Sequence, residues 1–176
     1  MVMSLVMTLE KAARIAMCSL VPNRPYHVQW LITRKCNYRC KGCNVWREQD
    51  VKELSTEEIK KGLDILKELG VIDIVFSGGD PLLRADIDEI LEYASHSFVT
   101  TVYDNGSMAE EKIDALRNVD FVAISLDTLD QKKNDYFKGV KGSWNKAMQA
   151  IQRLHEEGIS VSVSPTISQF NLHEIT

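Results

Sequence analysis

The sequence contains no apolar run near the roughly 18–20 residues needed to cross a membrane. It also lacks internal repeats, low-complexity stretches and any recognisable linker. The first twenty residues interrupt their apolar pattern with Glu10, Lys11 and Arg14, so they do not form the unbroken core of a secretory signal. There is no excess of positive charge: 21 Lys and Arg stand against 25 Asp and Glu, for a net charge of −4. The basic footprint of a general nucleic-acid binder is therefore absent. Only four cysteines occur in 176 residues, and a chain of this length buries a core without disulfide staples. These absences lead us to expect a cytoplasmic protein with no membrane span and no general nucleic-acid binding. In that reducing compartment clustered cysteines more often bind metal than pair with one another.

What is present is an alternation of short β-type runs with helical patterns. An amphipathic helix is expected over residues 8–19, in an N-terminal extension covering 1–25. Strands are expected at 26–33, 72–76, 98–103, 121–126 and 159–165. Ser55 and Glu58 form an S-x-x-E capping box for a helix that stops at Gly70. Further helices are expected at 86–95, 108–117 and 143–157, the last with Trp144, Ala147, Met148, Ile151 and Leu154 at helical spacing. The segment between Asp127 and Ser143 reads as a loop of charges and glycines, and Asn171-x-x-Glu174 as the cap of one more helix. This repetition implies α/β architecture with parallel strands and right-handed crossovers. A doubly wound sheet and part of a β/α barrel both fit it. In either, ligands gather at the carboxyl ends of the strands. The cysteine loop, Ser77-Gly78-Gly79-Asp80, Asp104-Asn105-Gly106 and Ser125/Asp127 all follow strands, so one rim should carry the site.

Cys36, Cys40 and Cys43 form C-x3-C-x2-C in the first of these loops. Thiolates suit zinc or iron–sulfur clusters. Closed structural zinc sites and closed [4Fe–4S] sites each take four protein ligands. Cys18, the remaining cysteine, is far away in sequence and reads as a buried apolar residue; a zinc knuckle completed by Cys18 or His27 is the competing assignment. Three thiolates from one loop leave a coordination position for a substrate or cofactor.

The run Arg34-Lys35-Cys36-Asn37-Tyr38-Arg39-Cys40-Lys41-Gly42-Cys43 resembles the cluster loop of the radical S-adenosylmethionine (radical SAM) superfamily. Ser77-Gly78-Gly79-Asp80-Pro81-Leu82-Leu83 is similar to that family's G-G-E-P-L-L segment, with Asp80 one methylene shorter than the usual Glu. Ile124-Ser125-Leu126-Asp127 and Tyr103-Asp104-Asn105-Gly106 resemble its segments after the fourth and third strands, and Lys138-Gly139-Val140-Lys141-Gly142-Ser143 a loop taken as mostly structural. The resemblance implies a partial (β/α)6 TIM-like barrel over residues 26–176, with five β/α units present and the sixth cut off. It implies that Cys36, Cys40 and Cys43 ligate a [4Fe–4S] cluster whose fourth iron chelates S-adenosylmethionine. Reductive cleavage would then give a 5′-deoxyadenosyl radical that abstracts hydrogen from an unidentified substrate, with no catalytic acid or base assigned. It further implies cofactor contacts at Tyr38, Gly42, Gly78, Gly79, Asp80, Asn105, Ser125 and Asp127. A low-potential electron donor of the flavodoxin or ferredoxin type is implied as partner. Gly42 replaces an aromatic residue common before the third cysteine, and Tyr38 or Trp46 is expected to supply the aromatic wall. The alternatives are a non-catalytic iron–sulfur or zinc module and an inactive fragment of a longer radical SAM protein.

Overall fold

A computed structural model describes residues 24–48 and 50–174, together with Ala13. The expected N-terminal helix, 8–19, lies outside the described residues except for Ala13, which is helical. Five parallel strands form one sheet in the order β1-β2-β3-β4-β5: β1 His27–Thr33, β2 Asp73–Gly78, β3 Val99–Asp104, β4 Phe121–Ile124 and β5 Val161–Val163. Every strand lies beside its predecessor in sequence, so the order has no reversal of the kind that defines a doubly wound sheet. The result is the barrel alternative, left open, with β1 and β5 as its two edges.

Among the described residues from Arg24 onward, five α-helices connect or flank the strands: α1 Thr56–Glu68, α2 Ile87–Ser95, α3 Ile113–Leu116, α4 Gln131–Lys138 and α5 Ser143–Glu156. The core lies between the helices and the outer face of the sheet. Ile32, Ile74, Phe76, Val102, Val122 and Ile124 point outward from the strands and pack with Ile59, Leu63, Ile90, Leu116 and Leu154 of the helices. The inner face is left open, and Leu31, Tyr103 and Phe121 are exposed on it.

The capping box of α1 is present as the sequence predicts. Ser55 accepts from the Glu58 amide at 3.3 Å, and the Glu58 carboxylate accepts from the Ser55 amide at 2.8 Å. Three expectations need correction. Only Ile113–Leu116 of the expected 108–117 helix is α-helical. The supposed loop after Asp127 contains α4, which Asp130 caps by accepting from the Lys133 amide at 3.0 Å. Asn171 does not cap an α-helix among the described residues: its side chain donates to the carbonyls of Asp127 at 2.7 Å and Thr166 at 3.0 Å, and the described residues after it form a 3-10 turn, Leu172–Glu174.

Trp30 faces outward from β1 onto α1, where the small residue is Gly62. A Cβ at Gly62 would run into the indole ring. Alanine is the better helix former by about 1 kcal/mol, but overpacking costs about 1–3 kcal/mol. We expect Gly62→Ala to destabilise the protein in urea unfolding; a variant as stable as the parent would show that Trp30 moves aside freely.

Candidate cofactor site

The cysteine loop runs from Arg34 to Asn44 without regular secondary structure, and its shape is imposed by neighbouring backbones. From β2, the Gly79 amide donates to Thr33 O at 2.9 Å and the Asp80 amide to Lys35 O at 2.8 Å. From α4, the carbonyls of Lys138 and Phe137 accept from the amides of Arg39 at 3.1 Å and Lys41 at 2.9 Å. From the loop after β3, Ser107 and Asn105 bond the Asn37 side chain at 2.7 and 2.9 Å. Within the loop, the Cys40 carbonyl accepts from the Cys43 amide and the Trp46 indole, each at 3.2 Å.

The approach of β2 explains both glycines. A Cβ at Gly78 would collide with the Thr33 carbonyl, and one at Gly79 with the Lys35 carbonyl. Gly78 also has φ +146°, a region L side chains rarely enter. The two glycines let β2 and the cysteine loop close on each other.

Enclosed by these segments at the carboxyl ends of the strands is a cavity of about 350 Å³. Cys36, Cys40 and Cys43 all line it, half-buried and present as thiols. So do Tyr38, Gly42, Gly78, Gly79, Asn105, Ser125 and Asp127, which brings together the sequence-predicted residues with one exception. Asp80 is fully buried behind the wall, with Oδ1 accepting from the Leu82 amide at 3.0 Å. Among the described residues no three His, Cys, Asp or Glu side chains converge as they would around one metal ion. The donor set is three soft thiols on one cavity wall with no histidine beside them, and the volume is that of a small-molecule site. This fits a group that takes three protein thiolates and leaves a position open for a ligand.

Several wall residues went unrecognised in the sequence. Lys138, at the end of α4, is buried; its Nζ lies 2.6 Å from Ser125 Oγ and 2.8 Å from Asp127 Oδ2. Phe137 packs 3.2 Å from where a Gly42 side chain would begin, and its ring stacks on Phe170 at 5.4 Å. Phe137 thus stands beside the position where the sequence lacks an aromatic residue. Trp46 is also on the wall, under the guanidinium groups of Arg39 and Arg47, and Tyr38 is buried.

Burial pushes the Cys36 thiol above its ordinary value and the Cys40 thiol up to about 11, with Lys138 pulling Cys40 the other way. Burial also raises Asp80 and Asp104, which hydrogen-bond to each other across β2 and β3, Asp104 being held well above the usual carboxylate range. Two carboxyls in such contact share one proton.

The comparisons agree with this architecture. The sequence model of the radical SAM superfamily matches residues 30–175, most of the chain. The chain belongs to the radical SAM superfamily. Among its radical SAM relatives, the Fe-coproporphyrin III synthase of Methanosarcina barkeri is 36% identical over 155 residues, spanning 84% of this chain and 38% of the relative. The AdoMet-dependent heme synthase of Nitratidesulfovibrio vulgaris is 32% identical over 152 residues, spanning 83% and 41%. The chain thus spans about two fifths of the length of these two relatives. The crystal structure of Streptococcus suis SuiB bound to S-adenosylmethionine superposes with a TM-score of 0.74 at 20% identity, over 86% of this chain and 37% of SuiB. That likeness establishes the fold as the radical SAM partial barrel. Among the described residues no helix is long and apolar enough to cross a membrane.

The Asp80–Asp104 pair gives a signed pH dependence. Its raised folded-state pKa values mean that the folded chain holds the shared proton more tightly than the unfolded one. The resulting stability is full below about pH 4, the unfolded carboxyl value, and is lost as pH rises through the raised values. Asp104→Asn replaces the proton by an amide donor. We expect it to stabilise the metal-free protein near neutral pH, and progressively less towards about pH 4. Melting curves across that range test this; a variant less stable at neutral pH would contradict it.

Proposed function

We propose that this chain is the cofactor-binding core of a radical SAM enzyme, assigned to residues 26–176 with 1–25 as an extension. Cys36, Cys40 and Cys43 hold three irons of a [4Fe–4S] cluster, and S-adenosylmethionine binds at the fourth. The observation that carries this reading is the meeting of all three thiols on one cavity wall with the strand-end residues of β2, β3 and β4. When bound, the cluster and S-adenosylmethionine together supply one-electron cleavage of the C5′–S bond and thereby hydrogen abstraction from a substrate.

The chain's own residues divide the work of binding. Gly78 and Gly79 set the cysteine loop against β2 and present backbone to the methionyl end of the ligand. Ser125 and Lys138 offer a hydroxyl and an ammonium to its carboxylate, with Asp127 holding Lys138 in place. Asn105, on the loop after β3, borders the same space and holds Asn37 of the cysteine loop at 2.9 Å. Tyr38, Trp46 and Phe137 wall the aromatic side, where Gly42 leaves room. Burial of the thiols keeps water from the cluster, a setting that tunes reduction potential. The exposed cations Arg39, Lys41 and Arg47 around the loop suit an acidic electron donor of the flavodoxin or ferredoxin type, and we place the protein in the cytoplasm, where such donors are found.

The substrate is unidentified. The two relatives are named for haem-related synthesis, and another neighbouring structure is SuiB bound to its precursor peptide SuiA. A large substrate fits the open inner face of the sheet.

The test is anaerobic reconstitution followed by incubation with S-adenosylmethionine and a strong reductant, with 5′-deoxyadenosine measured as product. We expect about four irons per chain, formation of 5′-deoxyadenosine, and loss of both in Cys40→Ala. A protein that loads zinc without visible absorption would instead support a non-catalytic binding module. A four-iron cluster with no product would indicate an inactive fragment.

A further inference from the structure

We infer that the outer face of the cysteine loop, where Arg39 and Arg47 lie against Trp46, is the docking surface for an acidic one-electron carrier protein, with the Trp46 indole between that carrier and the cluster. The inference rests on the cofactor reading above and gives its electron donor a place on this chain.

Charge singles out this stretch. Residues 34–53 carry six Lys and Arg against three Asp and Glu, in a chain whose net charge is −4. Two of those acids are already taken: Glu48 pairs with Arg34, and Glu53 with Lys35 at 3.2 Å. Arg39, Lys41 and Arg47 are exposed and have no carboxylate partner among the described residues. They lie on aromatic rings instead. The guanidinium carbons of Arg39 and Arg47 are 5.2 and 5.0 Å from the centre of the Trp46 ring, and Lys41 Nζ is 3.2 Å from the centre of the Tyr136 ring. A cation on a ring is held in place without being neutralised. Arg and aromatic side chains are also the types that protein interfaces concentrate, and Tyr136 is 63% exposed.

Beneath these cations lies the backbone that carries the thiols. Trp46 Nε1 donates to the Cys40 carbonyl at 3.2 Å, and Arg39 Nη1 donates to the carbonyls of Cys36 and Tyr38, each at 3.0 Å. The charged surface is therefore one side chain away from two of the three cysteines. Electron transfer falls steeply with distance, so a carrier must dock where so little protein intervenes. Encounters between redox proteins bury little surface, under about 1,200 Å², and are steered by complementary charge. In the docked pair one electron leaves the reduced carrier and enters the cluster, and no bond of this chain is made or broken.

The test times reduction of the reconstituted cluster by stopped flow, read as loss of its visible absorption, with two donors. One is reduced flavodoxin, an acidic protein; the other is reduced methyl viologen, a small cation that needs no docking surface. We expect the flavodoxin rate to fall about tenfold as salt rises from about 0.05 to about 0.5 M. Arg47→Glu should slow flavodoxin about fivefold or more at low salt, Arg47→Lys should keep most of the rate, and neither should slow methyl viologen. Lys67→Glu makes the same charge change on an exposed residue at the far end of α1, and should slow flavodoxin by less than about twofold. Lys41→Glu serves as a second reversal, and melting curves establish that each variant is folded. If the flavodoxin rate ignores salt, if Arg47→Glu slows it no more than Lys67→Glu, or if Arg47→Glu slows both donors alike, this face is not the docking surface. If the parent forms no cluster that methyl viologen reduces, the cofactor reading itself falls, and this surface with it.

Discussion

Everything at this site depends on holding an irregular loop in one shape. A segment that aims three thiols at one space cannot be a helix or a strand, since both would disperse the side chains around an axis or across two faces. Without its own ladder, its amides and carbonyls must find partners elsewhere. Here the loop is paired with backbone groups from β2 on one side and α4 on the other. Such pairing brings main chain against main chain, which is why Gly78 and Gly79 occur where a Cβ would strike the Thr33 and Lys35 carbonyls. The same need appears at Gly139, with φ +69°, where a Cβ would strike the Arg39 carbonyl. The two elements that grip the loop by backbone pairing, β2 and α4, therefore each carry or adjoin a glycine at the point of contact.

The charges at the rim are arranged around the same constraint. Asp80 and Asp104 sit at the ends of β2 and β3, and Asp127 and Lys138 face each other across the end of β4 and the end of α4. Burying them costs stability that the apolar layer between sheet and helices must offset. That layer is complete on the outer face, where Ile74, Phe76, Val102 and Val122 are buried. The division of labour follows from sheet geometry: residues alternate between faces, so one strand can contribute to the stable layer with one set and to the open inner face with the other.

The fold was largely legible in the sequence because its stabilising layer is apolar and periodic. β1, α1, α2 and α5 announced themselves through capping residues and apolar spacing, and the three cysteines through their spacing in one loop. α4 was not legible, for a physical reason. The residues it buries include Asn134 and Lys138, so a helix that packs by hydrogen bonds and an ion pair leaves no hydrophobic stripe to detect. Lys138 was accordingly read as part of a loop, although it stands on the cavity wall. Phe137 carried no signal either, because its partner, Gly42, is 95 positions away and supplies an absence rather than a motif. Asp80 was recognised from its place after the two glycines, but no sequence pattern reports that its shorter side chain turns inward.

These departures fall together. The places where local rules fail — a helix with a polar buried face, two carboxyls in contact, an irregular loop with buried thiols — all border one cavity, while the rest of the chain obeys propensity, capping and burial. A sequence selected for stability alone would remove such conflicts, since hydrophobic replacement of buried charges is often neutral or stabilising. Their concentration at the carboxyl ends of the strands marks the cavity as the place where function rather than stability shaped the chain. In that view the site is stabilised by what it binds, and the cofactors complete the fold at the same positions where they perform their chemistry.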